Sequence, residues 1–294
     1  MSDSVSRSGF VRAGMMLAVF LVVAALLAGC KNVRSPEVVK IGLIAPFEGP
    51  SRPLGYDVLN AVKLRINQWN ESDATPKIEL VALNDDSDPA LAALLPAQLA
   101  QDPDIRVILG PPQGHTAEAA QTPLTLTGIP AILLAPVADA VSVDILPYAG
   151  IERDYRRALQ LPTGEAPAAW EPPVTHPVLW LGDPLTLAEV YVTQPEMIVA
   201  AGPVAEEEAV QGWAPGLRQH LPWAAPAPEN LPEDFPAAYQ TLTGKPPTRA
   251  AALAYAAADA ALRLIAEAPD HHPGASRLHA IPPPPITIVT APSR

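Results

Sequence analysis

An α/β fold built on an open parallel sheet is predicted by three observations. Short β-branched apolar runs alternate with segments of helical periodicity. The runs end in Gly- or Pro-containing loops, and the order β-α-β-α-β-α-β is kept from residue 38 to residue 134. Val38–Ala45 (VVKIGLIA) reads as a buried strand. Glu48 to Pro53 is a Gly/Pro loop. Leu54, Val58, Val62, Ile66 and Trp69 then recur at three-to-four spacing and give one apolar helix face. Ile78 to Leu83 is a second strand. Asp88-Pro89 reads as an N-cap with proline at the first helical position. The alanine- and leucine-rich helix that follows is expected to kink at Pro96. Arg106 to Leu109 is a third strand, ending at Gly110; Thr116 is expected to cap the next helix and Pro123 to shorten it. Pro130 to Leu134 is a fourth strand.

Beyond Tyr148 the rhythm weakens. Of 37 prolines, 23 follow residue 150, and proline removes ladder donors and breaks helices, so shorter elements are expected there. Val178 to Leu181, Met197 to Ala200 and Ile286 to Val289 read as strands. Gln160 to Pro177 and Gly212 to Pro236 read as loops, and Ala250 to Ala268 as a well-buried helix. No repeat of solenoid period is present.

The amino terminus carries a different signal. Arg7 and Arg12 precede an apolar run from Gly14 to Leu27, the layout of a secretory signal. The run closes in Leu27-Ala28-Gly29-Cys30, which holds the chain's one cysteine and resembles a bacterial lipobox. That resemblance implies lipidation at Cys30. The other reading is a transmembrane helix, for which about 17 uncharged residues is the lower limit. Removing residues 1–29 takes away two of 19 basic and one of 31 acidic residues, leaving a net charge of −13. Such a chain does not wrap nucleic acid, whose affinity comes from Lys and Arg on phosphates. Nor does its surface adhere to anionic lipid. With its single cysteine lipidated, no disulfide is available and an apolar core must supply stability.

Enzyme motifs are absent: there is no G-x-S-x-G, H-E-x-x-H, P-loop or G-x-G-x-x-G. Asn84 to Asp88 is the densest acidic cluster. As a calcium loop it would put Pro89 where glycine belongs and Leu95 where glutamate belongs, so it reads as a polar strand-to-helix turn. His271-His272 reads as solvated loop. Gly110-Pro111-Pro112-Gln113-Gly114-His115-Thr116 joins a parallel strand to a helix, where ligands of open α/β sheets sit and where helical N–H groups favour a carboxylate. A plain turn-rich connection explains that loop equally well. No residue is assigned a catalytic role, and no metal or cofactor is expected.

The run VVKIGLIAPFEGPSRPLG at 38–55 resembles the opening of the branched-chain amino-acid-binding proteins of ABC transporters. IELVALNDDSDP, VILGP, PAILLAP and the later segment 234–268 follow in that family's order. The resemblance implies a periplasmic-binding-protein type I-like fold, with a first lobe of open parallel sheet and flanking helices and a reduced second α/β lobe. The boundaries it implies are a signal peptide at 1–29, a lipidated tether at 30–37, a first lobe at 38–147 and a proline-rich second lobe with crossover segments at 148–294. It implies ligand-binding positions at Leu54, Gly55, Gln113, Gly114, His115, Thr116, Ala138 and Asp139. Gly114 and Val137 stand where hydroxyl side chains are usual, and Asp139 where threonine is usual. About two strand–helix units of the usual second lobe are missing between Leu159 and Val178. The function implied is a lipid-anchored extracytoplasmic solute-binding protein, not an enzyme, delivering a small amino acid or related carboxylate to an ABC permease. The alternative is a degenerate receptor-fold lipoprotein serving as envelope scaffold or interaction partner.

Overall fold

The computed structural model describes residues 38–139, 142, 144–161, 178–194, 198–267 and 286–290. The signal-like segment, Cys30 and His271-His272 lie outside them.

The first lobe is a five-stranded parallel sheet of order β2-β1-β3-β4-β5. Its strands are β1 (Val38–Ala45), β2 (Lys77–Asn84), β3 (Ile105–Leu109), β4 (Ala131–Leu133) and β5 (Ile145–Pro147). The crossover helices are α1 (Arg52–Glu71), α2 (Pro89–Leu99) and α3 (Gly114–Thr127). β1 is wholly buried from Ile41 to Ala45, as its unbroken apolar run requires of a central parallel strand. Strand order reverses between β1 and β3, so the loops leaving their carboxyl ends diverge and open a crevice.

Both sheet faces are covered. On one, Val58, Val62 and Ile66 of α1 pack with α8 (Phe235–Thr243) and α9 (Arg249–Glu267). The carboxyl-terminal helices therefore complete the first lobe's core, although they lie far along the sequence. α9 buries Leu253, Tyr255, Leu262, Leu264 and Ile265, in keeping with its nearly all-apolar surface. On the other face, Leu95 and Leu99 of α2 and Ala117, Ala120 and Leu124 of α3 pack with Ile44, Ile108 and Leu133.

Asp88 caps α2, accepting a hydrogen bond from the Ala90 N–H at 2.8 Å. Asp88→Ala is expected to cost about 1 kcal/mol, or roughly 2–4 °C in Tm for a domain of this size, read by calorimetric melting. Two expectations change. α3 runs on through Pro123 to Thr127 instead of ending early, and it packs with α2, which contains Pro96, on one face of the sheet. Thr116 does not cap α3. The helix starts at Gly114, and the Thr116 hydroxyl donates to the Gln113 carbonyl at 3.1 Å.

The second lobe is small. β6 (Val178–Trp180) pairs in parallel with β7 (Ile198–Ala201), and β8 (Ala224–Pro228) pairs antiparallel with β9 (Ile286–Thr290). A bridge between Ala201 and Trp223 joins the two pairs. α4 (Glu152–Ala158) puts Tyr155 against Leu179, Ala200 and Ala224. A second cluster joins α5 (Pro184–Thr193), a 3-10 turn at Pro203–Glu206, α6 (Glu208–Trp213) and α7 (Leu217–His220) around Trp223. β8, α7 and the start of α8 replace the loop expected over Gly212 to Pro236. Alanine and proline carry no strand signal of their own, so the pairing with β9 makes β8 a strand.

Candidate functional site

Ser51 and Gln113 meet at the crevice where strand order reverses. Ser51 ends the loop after β1 and Gln113 ends the loop after β3; each is the N-cap residue of the helix that follows. Neither side chain caps its own helix. Instead Gln113 Nε2 donates to Ser51 Oγ at 2.9 Å, and both groups turn toward a carboxyl of the second lobe. That carboxyl is Glu207. Its Oε2 accepts from Gln113 Nε2 at 2.8 Å and from Ser51 Oγ at 3.2 Å. Two helix amino termini point at this spot, which suits it to negative charge.

Burial pushes the Glu207 carboxyl up to about 8, opposed by the bonds from Gln113 and Ser51 and reinforced by Asp183 and Asp85. Gln113 is 2% exposed, and its Oε1 is buried with no hydrogen-bond partner. Nearby, burial pushes the Asp85 carboxyl up to about 6, against a bond from the Ser87 backbone N–H.

A cleft of about 530 Å³ opens beside Glu207 between the lobes. Leu54, Pro112, Leu134 and Leu253 supply apolar wall from the first lobe, and Leu181 and Val204 from the second. The polar rim is built of paired charges. Asp57, buried on the first turns of α1, accepts from Tyr239 Oη at 3.2 Å and pairs with Lys245 Nζ at 2.8 Å. Glu206 pairs with Arg249 of α9 and, at 3.3 Å, with Arg218 of α7. Both guanidinium groups lie over the Trp223 ring, at 4.7 Å for Arg218 and 5.3 Å for Arg249.

Among the expected site residues, Leu54, Gln113 and Gly114 line the cleft. Gly55 lies behind it; a Cβ there would sit 1.6 Å from the Pro46 carbonyl oxygen, so it lets α1 approach the end of β1. His115 faces away, its Nε2 3.1 Å from the Ser87 carbonyl and 3.8 Å from Asp183. Thr116 is fully buried under the loop. Ala138 and Asp139 are exposed and outside the lining. Sequence reasoning passed over Ser51, Asp57, Glu206, Glu207, Arg218, Lys245 and Arg249. The usable signal was Gly202-Pro203 before three consecutive glutamates, a strand-end turn carrying acids.

Residues 38–148 match the periplasmic binding protein family. The chain carries the type I periplasmic-binding-protein fold. A leucine-binding protein from Thermotoga maritima superposes with a TM-score of 0.62 at 15% identity, covering 82% of this chain and 86% of that one. A branched-chain amino acid transporter substrate-binding protein from Streptococcus pneumoniae, in complex with isoleucine, gives 0.55 at 14% identity over 83% and 87%. A Rhodopseudomonas palustris solute-binding protein in complex with benzoate gives 0.53 at 15% identity over 83% and 84%. No curated protein sequence matches the chain. The cleft lies between the two α/β units, at the carboxyl ends of the first lobe's strands. Among the described residues, no helix is long and apolar enough to cross a membrane, and no cluster of His, Cys, Asp or Glu is arranged to hold a metal ion.

Proposed function

We infer that this protein is an extracytoplasmic solute-binding protein, anchored by lipid at Cys30, that delivers a small amino acid or related carboxylate to an ABC permease. The observation that carries the reading is Gln113, which lines a cleft large enough for such a solute and, bonded to Ser51 behind it, is freed from capping its own helix. Solved proteins of the same fold were captured with isoleucine and with benzoate, both carboxylates, which supports a carboxylate as the class of solute. The apolar walls from Leu54, Leu134 and Leu181 suit an aliphatic or aromatic body. Leu54, Gln113 and Gly114 are the sequence-derived positions that would touch it.

Calorimetric titration of the lipid-free protein from Lys31 onward tests this. The panel is the twenty amino acids, short amides, benzoate and 3,4-dihydroxybenzoate. Saturable heat with one carboxylate class is expected; silence from a protein shown to be folded overturns the reading. Anchoring is tested separately, by incorporation of labelled fatty acid that Cys30→Ser abolishes.

One observation favours the second reading, an envelope scaffold with no transported solute: the donor pair already holds a carboxyl of the chain itself. A partner cross-linked in the envelope without dependence on any small molecule would support it.

A further inference from the structure

We propose that Glu207 is an intramolecular ligand: the chain's own carboxyl fills the carboxylate pole made by Ser51 and Gln113, holds the lobes together without solute, and must leave for a solute carboxylate to enter. The proposal rests on the receptor reading, whose site it deepens.

Four observations support it. Ser51 and Gln113 belong to different loops of the first lobe, and Glu207 belongs to the second, 156 and 94 positions away along the chain. Both bonds fall on one oxygen, Oε2, so the carboxyl binds end-on, as a free carboxylate would bind at two converging helix starts. Gln113 Oε1 remains buried and unpartnered, an acceptor that no group of the described residues satisfies and that a donor on an entering solute, such as an ammonium, could meet. The neighbouring Glu206 reaches Arg249 of the first lobe, so one turn, Pro203–Glu206 and the residue after it, bridges the lobes twice.

A site closed over its own carboxyl binds solute with an apparent affinity reduced by the fraction of time the pole is vacant. Shortening the side chain removes that competition and one of the two bridges. Losing a pair of bonds to a buried carboxyl also frees the lobes to part.

The test compares the full lipid-free chain with its Glu207→Ala and Glu207→Gln variants. X-ray scattering of each, without added solute, reports lobe separation. Titration with L-leucine, L-isoleucine and benzoate reports the pole. Expected results are a larger radius of gyration for E207A, an unchanged one for E207Q, whose amide oxygen accepts the same two bonds, and an affinity of E207A for a carboxylate probe raised about tenfold or more. If E207A fails to fold, Glu207→Asp, which withdraws the carboxyl by one methylene, takes its place. A weaker affinity in E207A overturns the proposal, because Glu207 would then hold the solute. Unchanged radius and affinity overturn it too, while leaving the receptor reading intact. Opening of E207A with silence from every probe keeps the intramolecular ligand and counts against the receptor reading.

Discussion

Gly114→Ala is expected to hold the cleft open. Gly114 is the first residue of α3, and a Cβ on it would lie 2.0 Å from the Leu181 carbonyl oxygen and 3.4 Å from that of Pro136. Real Cβ atoms do not come within 3.0 Å of backbone, so something must move. Pro136 is fixed in the first lobe beside β4, whereas Leu181 follows β6 in the second. The movement of least cost is a shift of the second lobe away from α3, which also pulls Glu207 off Ser51 and Gln113. Scattering should show a larger radius of gyration, and titration should show solute affinity lowered by tenfold or more, because the added methyl, unlike loss of the Glu207 carboxyl, also keeps the second lobe from closing over a bound solute. Gly212→Ala is the control: no atom lies within 4 Å of its Cβ position, and alanine within α6 is expected to gain roughly 0.5–1 kcal/mol. Unchanged shape and affinity in G114A would show that the lobes do not close at this point.

Stability is expected to fall as pH rises from about 4.5 to about 8, and Glu207→Gln is expected to remove the upper part of that fall. Burial holds the Glu207 proton up to about 8 in the folded chain, against an ordinary value of 4.5. A raised value means that the folded state binds the proton more tightly than the unfolded chain. The resulting stabilisation is complete below the ordinary value and is lost as pH climbs through the folded one. Each pH unit costs at most about 1.4 kcal/mol per proton, giving a total on the order of a few kcal/mol. Asp85 acts in the same direction, raised from 3.8 to about 6, so its share is exhausted near pH 6. His115 acts in the opposite direction: burial lowers its value below 6.5, against Ser87 and Asp183, so that stability rises with pH there. Above pH 6.5 the fall therefore belongs to Glu207, and E207Q should be flat from there to pH 8. Thermal melting across pH 5 to 9 reads both chains; equal slopes above pH 6.5 would refute the assignment.

The first lobe was legible because its physics is local. β1 needs both faces buried and is written as an unbroken β-branched run, and Asp88-Pro89 announces a cap that the structure contains. The late helix was equally plain, since Leu253, Leu262 and Ile265 leave α9 almost no polar face. What it packs against was not legible, because α1 lies nearly two hundred residues earlier. β8 was hidden by its alanines and prolines, which become a strand only through β9. At the site, Gln113 and Gly114 could be found because a glycine-containing loop after a parallel strand has a known use. Ser51 lies within the Gly/Pro loop Glu48 to Pro53 and was passed over, since nothing local shows its hydroxyl turned off the helix that follows. Glu207 sits in a run of three acids that reads as solvated surface, yet Glu207 is 9% exposed and only the fold distinguishes it from its neighbours.

Trp223 is 6% exposed, rooted in the small sheet, and has the guanidinium of Arg249 from the opposite body lying over its indole. Arg218, from the same lobe as Trp223, lies over that ring as well, so the indole carries one cation from each lobe. Emission from Trp223, recorded with the other four tryptophans replaced, would report any movement of Arg249 against a contact that Arg218 keeps.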